Sequence, residues 1–328
     1  MIYELDPELG PAMAALAANA ARTPRPARGD WRAVRESASA GLAYMATLTP
    51  ASSGVTTTGY KTETLDGEDE IQLRWYTKTG STADSSVVYT HGGGMLGGSV
   101  DLYDEVVSWY VAQSGVPFLS VELRLAPEAP TSTAMAEDSF SALMWLHDHA
   151  AELGVDPERI AVMGDSGGGG PTAAAAILAR DRKLPVAKQI LVYPMLDDRN
   201  TTPGPIPEEL LTWGYDNNYT GWVTLLGDQI ATDAVSPVAS PARLPDFTGL
   251  APAYIDVGDL SSSATRASPT PVVSPQPAYP SSSTSTQAPR TASSASSRTR
   301  GWPNEPWQIA PAPSPRSRPT RPTTIGEP

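Results

Sequence analysis

The sequence contains no cysteine, which excludes a disulfide framework and any metal site built on thiolates. This absence fits a reducing compartment. Residues 1–22 have no basic segment followed by an apolar core, so we expect no signal peptide. No stretch approaches the roughly 18 consecutive apolar residues that a membrane helix needs. We therefore expect a cytoplasmic protein without a membrane span.

Basic residues and histidines are also scarce. The chain has 23 Lys and Arg against 36 Asp and Glu, which gives a net charge of −13. Nucleic-acid binding depends on clustered Lys and Arg, so the composition argues against such a partner. Only three histidines occur, and none follows His149. This shortage restricts the choice of a general base, because histidine is the side chain that most often takes a proton in catalysis.

A serine held between glycines is the feature around which the chain is organised. It follows the apolar run 160–163 and precedes the alanine-rich stretch 172–180, so the pattern predicts a strand, a tight turn and a helix. Such a turn needs residues without side chains two places before and two places after the serine. The hydroxyl would then stand clear of the sheet as a nucleophile. The motif comprises Gly164, Asp165, Ser166, Gly167 and Gly168.

A second glycine-rich motif, His91-Gly92-Gly93-Gly94, follows the apolar strand 87–89. Consecutive glycines let backbone N–H groups point into a pocket, as stabilising the oxyanion of a tetrahedral intermediate requires. We predict Gly92, Gly93 and Gly167 as the donors. His91 and Gly94 would support the loop.

Apolar runs and helical patterns alternate along the chain and predict a doubly wound, mostly parallel α/β sheet. Strand-like segments also precede the parallel part and would form its antiparallel edge. The predicted helices span residues 5–21, 31–47, 102–114, 135–153 and 172–180, with a short one near 207–213. The predicted strands span residues 56–64, 71–76, 87–90, 116–123, 160–163, 189–193 and 253–257.

Further motifs extend a resemblance to a known family. The chain resembles the α/β-hydrolases that include hormone-sensitive lipase and its bacterial and fungal esterase relatives, over residues 1–260. The motifs that carry the resemblance, beside the two described, are Arg124-Leu125-Ala126-Pro127-Glu128, Glu137-Asp138, Asp156-Pro157-Glu158-Arg159-Ile160, Tyr193-Pro194-Met195 and Ala253-Tyr254-Ile255-Asp256-Val257-Gly258.

The resemblance implies hydrolysis of carboxylic esters of short or medium acyl chains through a Ser166 acyl-enzyme. It implies no metal or organic cofactor, and a small ester as the partner. Residues 1–260 would form the hydrolase domain, in which segments 1–50 and 197–249 would form a helical cap over the active site. Four aromatic side chains could line an acyl-binding wall or simply belong to the core: Trp213, Tyr215, Tyr219 and Trp222.

Beyond Leu260 the composition changes. Residues 261–328 contain no Leu, Met, Phe or Lys and are rich in Ser, Pro, Thr and Arg, which predicts a disordered tail. By resemblance, a last strand and helices should follow here, the triad acid should stand where Ser261 does, and a histidine should come later. His91 belongs to the oxyanion loop, and His147 and His149 are predicted at the surface end of a helix. The triad acid and base are therefore not found, and we expect impaired catalysis.

Three interpretations of the tail remain open. It has the composition of GC-rich DNA translated out of frame or across a misplaced splice junction. The chain could be a non-catalytic, ligand-binding relative, as plant gibberellin receptors resemble this family and keep the serine turn without the histidine. The tail could also be a natural linker to a partner.

Overall fold

The computed structural model describes Gly10 and residues 25–208 and 211–258. Apart from Gly10, the predicted helix over residues 5–21 lies outside these residues, as does the predicted tail, with Ser261 at the family's acid position. Helices and strands alternate along the rest. In chain order they are α1 (Trp31–Leu48), β1 (Val55–Glu63), β2 (Glu70–Lys78), β3 (Ser86–Thr90), α2 (Asp104–Ser114), β4 (Phe118–Val121), α3 (Ala134–Asp148), α4 (Ala150–Leu153), β5 (Ile160–Asp165), α5 (Gly169–Arg182), β6 (Gln189–Val192), α6 (Tyr215–Leu226) and β7 (Ala253–Asp256).

The seven described strands form one sheet in the order β1-β2-β4-β3-β5-β6-β7. β1 pairs with β2, and β2 with β4, in antiparallel fashion, whereas the other neighbours are parallel. This confirms the mostly parallel α/β sheet with an antiparallel edge that the sequence predicts. Because the parallel strands end at one edge, the loops after β3, β5 and β6 come together there.

Both faces of the sheet are covered by helices. Val88 and Val162 belong to the apolar core that α3 and α5 share with one face. Val87 and Ala161 belong to the core against α2 on the other face. Since successive residues of a strand point to opposite faces, both faces need apolar residues, which explains the unbroken apolar runs of β3 and β5. Within the described ranges, no helix is long and apolar enough to cross a membrane.

Two helices differ from the sequence prediction. The single helix predicted over residues 135–153 is wrong, because α3 ends at Asp148 and the short α4 follows; Gly154, at φ +70°, ends α4 as predicted. α6 was not predicted. Its sequence is rich in Tyr, Asn, Thr and Trp, which are mediocre helix formers, so tertiary packing rather than local propensity determines this helix.

A buried ion pair joins the loops that follow β6 and α6. Arg243 Nε and Nη2 lie 2.5 and 2.8 Å from the two carboxylate oxygens of Asp198, whose side chain is fully buried. The Ala231 N–H also donates to this carboxylate. Burial acts to raise the pKa of Asp198, but the bonds from Arg243 and Ala231 lower it below the ordinary value. The pair therefore stays ionised at neutral pH and fixes both loops.

We predict that Arg243→Leu lowers the free energy of unfolding by about 3 kcal/mol at neutral pH, because it leaves a buried carboxylate without its partner. The lowered pKa of Asp198 stabilises the wild type above the unfolded value of about 4, and this contribution disappears as the pH falls through the folded pKa. The difference in the free energy of unfolding between the wild type and Arg243→Leu should therefore become smaller in acid. Urea titrations at several pH values measure this difference.

The matched control is Lys61→Met, which removes an ion pair with Glu70 whose two side chains are both exposed. This variant should change the free energy of unfolding by less than about 0.5 kcal/mol. Equal effects of the two substitutions would contradict a special role for the buried pair.

Candidate active site

Ser166 stands in a strained turn between β5 and α5. Its φ is +51°, a left-handed conformation that non-glycine residues rarely adopt. A Cβ atom on Gly164 would lie 2.6 Å from the Gly168 carbonyl oxygen, and one on Gly168 would run into the carbonyl oxygens of Thr90 and His91. Glycine at these two positions lets the chain turn closely enough to present the half-buried Ser166 side chain at the edge of the sheet.

The loop after β3 lies against this turn. Gly93 and Gly94 have φ values of +125° and +65°, so the loop adopts backbone conformations that favour glycine. A Cβ atom on Gly167 would lie 2.6 Å from the backbone nitrogens of both Gly94 and Met95. The two glycine-rich motifs predicted from the sequence are thus brought into backbone contact. Within the described ranges, the N–H group of Gly93 donates to no protein acceptor, whereas that of Gly92 is directed at the Tyr103 hydroxyl.

His91 helps to shape the loop from inside. Its side chain is buried, and Nδ1–H donates to the Gly92 carbonyl oxygen at 2.9 Å. A Cβ atom on Gly98 would lie 2.5 Å from this same Nδ1, so the imidazole fills the concave side of the loop. Burial lowers the pKa of His91, which keeps the ring neutral at neutral pH.

Asp165 connects three segments of the site through buried phenols. The sequence alone does not predict this network. Tyr89 and Tyr103 donate to its two carboxylate oxygens at 2.7 and 3.1 Å. Burial raises the pKa of Asp165, although the tyrosine hydrogen bonds oppose this. Burial and the nearby carboxylate together raise the pKa values of both phenols. A tyrosine beside the two valines of the fully buried β3 was the available signal.

The prediction that His147 and His149 lie exposed at the surface is wrong. Both side chains are half-buried. His147 Nε2–H donates to the Pro185 carbonyl oxygen at 2.9 Å, and burial lowers the pKa of this imidazole. His149 stacks on Trp145 at 4.2 Å and donates from Nδ1 to that residue's carbonyl oxygen. In the part of the chain that the structure describes, no histidine hydrogen-bonds to Ser166.

Most of the predicted aromatic wall belongs elsewhere in the fold. Trp222 is buried in the main core, and Tyr215 exchanges hydrogen bonds with the backbone of Ile206. Tyr219 packs beneath the guanidinium of Arg28, 3.6 Å from its ring centre. For these three side chains, packing within the fold accounts for the aromatic residue.

Trp213 is the member of that set that contacts the glycine loop. A Cβ atom on Gly94 would collide with its indole ring. The ring therefore covers the loop on the side where Gly94 lacks a side chain. Of the four aromatic candidates, Trp213 alone is a candidate wall of the site on the evidence of these contacts.

Comparisons with known proteins agree with this geometry. A sequence model of the α/β hydrolase fold matches residues 87–267, more than half of the chain. The solved structure of a bacterial heroin esterase superimposes with a TM-score of 0.68 at 33% identity, covering 79% of this chain and 81% of that one.

Curated relatives point the same way. The carboxylic ester hydrolase LipN of Mycobacterium tuberculosis is 34% identical over 197 residues, which are 57% of this chain and 51% of LipN. Hormone-sensitive lipase of Bos taurus is 35% identical over 104 residues, 32% of this chain and 14% of the lipase. The chain spans about half the length of LipN. From the matched sequence, the sheet and the two glycine motifs, the chain belongs to the α/β-hydrolase family of carboxylesterases related to hormone-sensitive lipase.

Proposed function

We propose that this site binds a carboxylic ester of short or medium acyl chain and transfers the acyl group to Ser166. The observation that carries the proposal is the strained turn at Ser166 in backbone contact with the glycine loop. An acyl carbonyl placed there would meet the hydroxyl on one side and backbone N–H groups on the other. The name of LipN as a carboxylic ester hydrolase supports the same substrate class.

The chemistry follows from these groups. Ser166 Oγ attacks the carbonyl carbon while its proton passes to a base, and the carbonyl oxygen becomes an oxyanion. The N–H groups of Gly92, Gly93 and Gly167 are the proposed donors to that oxyanion. The ester C–O bond then breaks, the leaving alcohol takes up a proton, and water repeats the attack on the acyl-enzyme. Each half of the reaction therefore needs a proton acceptor beside Ser166.

The general base that should accept the Ser166 proton has not been identified among the described residues. None of the described histidines hydrogen-bonds to Ser166, and the predicted acid position holds Ser261. Removing the histidine from a serine protease lowers kcat by roughly 10⁶-fold. We therefore propose that these 328 residues turn over esters slowly. Binding without turnover, as in the gibberellin receptors that resemble this family, is the alternative.

We predict that added imidazole raises the Ser166-dependent hydrolysis of p-nitrophenyl butyrate by about tenfold or more, since it can supply the general base. The rate is measured as nitrophenolate release, with and without imidazole, for the wild type and Ser166→Ala. The increase should grow as the pH rises past about 6.5, the range in which an imidazole becomes neutral.

The Ser166→Ala protein is the control, because imidazole alone also cleaves activated esters. Its rate in imidazole is subtracted from that of the wild type. A wild-type rate equal to that of Ser166→Ala in all conditions would contradict acyl transfer. If both proteins nevertheless bind a non-hydrolysable ester analogue equally, the ligand-binding alternative is favoured.

A second prediction concerns the glycine loop. Gly93→Ala should lower the imidazole-dependent rate by about a hundredfold, the usual effect of losing one oxyanion donor. At φ +125° an alanine is strained, and its Cβ would collide with the Gly97 carbonyl oxygen, so the loop must move. Gly41→Ala is the matched control, because a Cβ there meets nothing within 4 Å. Equal rates for the two variants would contradict the proposed donor.

A further inference from the structure

Arg35 on α1 reaches the backbone of the glycine loop. Its Nε donates to the carbonyl oxygen of Leu96, and its Nη2 to that of Ala126, each at 2.6 Å. Glu128 accepts two further bonds from the same guanidinium, at 2.9 and 2.5 Å. The flat, five-donor shape of arginine lets one side chain hold all three partners.

These bonds form part of a closed ring around the loop. The Ala126 N–H donates to the Met95 carbonyl oxygen at 3.1 Å, so two consecutive loop carbonyls are held, one by Ala126 and one by Arg35. The side chains of Leu96 and Ala126 also pack together with Val34 of α1 in a small buried cluster. The segment that starts at Met95 is therefore fixed by both its backbone and its side chains.

The fixed segment in turn holds Gly93. The N–H groups of Leu96 and Gly97 both donate to the Gly93 carbonyl oxygen, at 3.2 and 3.0 Å. The peptide of Gly93 is thus linked through Leu96 to Arg35. A shift of the Leu96 carbonyl would be passed directly to the part of the loop that faces the Ser166 turn.

We propose that Arg35 is a positioning residue that fixes the glycine loop in the conformation that donates to the oxyanion, an inference that rests on the proposed function of Gly93. Arg35 does not touch the substrate; it acts through Leu96. Glu128 holds the guanidinium in register, and the hydrogen bond from Arg35 lowers the pKa of Glu128, so the pair is ionised at neutral pH.

The decisive variant is Arg35→Lys, which keeps the charge but not the fork that spans the Leu96 and Ala126 carbonyls. Hydrogen–deuterium exchange of the peptide covering residues 92–98 should become about tenfold faster. In imidazole, kcat for p-nitrophenyl butyrate should fall by about tenfold at unchanged KM, because the loop acts on the transition state more than on the bound ester.

The matched control is Arg180→Lys. Arg180 also binds a backbone carbonyl, that of Asp246, and a carboxylate, that of Asp181, but at the far end of α5 from Ser166. The Arg180→Lys substitution should leave both the exchange of residues 92–98 and kcat unchanged. Glu128→Ala gives a second test if Arg35→Lys folds poorly. It frees the guanidinium from one side, so exchange should rise about two- to threefold.

Exchange needs no turnover, so the inference and the proposed function can fail separately. If residues 92–98 exchange in both Arg35→Lys and Glu128→Ala at the same rate as in the wild type, the positioning role is overturned. Faster exchange at these residues in every variant, including Arg180→Lys, would also overturn it, since the effect would then be general. Faster exchange in the two test variants alone, with no Ser166-dependent turnover in the wild type, would support the positioning role of Arg35 and contradict the esterase proposal.

Discussion

Backbone contact between two glycine-rich segments is the constraint on which the rest of the site depends. β3 and β5 are parallel neighbours, with Thr90 opposite Gly164, so the segments that follow them leave the sheet side by side. Side chains at Gly167 or Gly168 would occupy space that the other segment already fills. Packing without Cβ atoms lets the two backbones touch, and the register between β3 and β5 sets which residues face each other.

Elements distant in sequence hold that contact in place. Arg35 and the loop at Ala126 fix the first glycine segment from outside, and His91 fills it from inside. The second segment is tied to the loop after β6, since the Met195 N–H donates to the Ser166 carbonyl oxygen at 2.9 Å. The precision of the site is therefore a tertiary property, although its reactive groups belong to two short motifs.

The sequence predicts the sheet and the two motifs because their signals are local. Apolar runs mark buried strands, and a glycine is needed wherever two backbones meet, as at Gly164 and Gly168. α6 and the phenols around Asp165 could not be predicted, because each depends on contacts between residues far apart in the chain. Tyr89 and Asp165 are 76 positions apart, and nothing in either segment alone shows that they meet.

The predicted aromatic wall is mostly wrong for a similar reason. A tryptophan in a cap segment has the same local pattern whether it faces a ligand or the core, so Trp213 and Trp222 are indistinguishable in sequence. Only the packing of Trp213 against Gly94 separates them.

The carboxylate of Asp165 has an electrostatic consequence for any reaction at its neighbour. A full negative charge one residue from Ser166 would repel an oxyanion forming there, and the low polarity of the interior would strengthen that repulsion. The hydroxyl dipoles of Tyr89 and Tyr103 point their hydrogens at this carboxylate. They spread its charge over two phenols, and so reduce the penalty for a second anion close by.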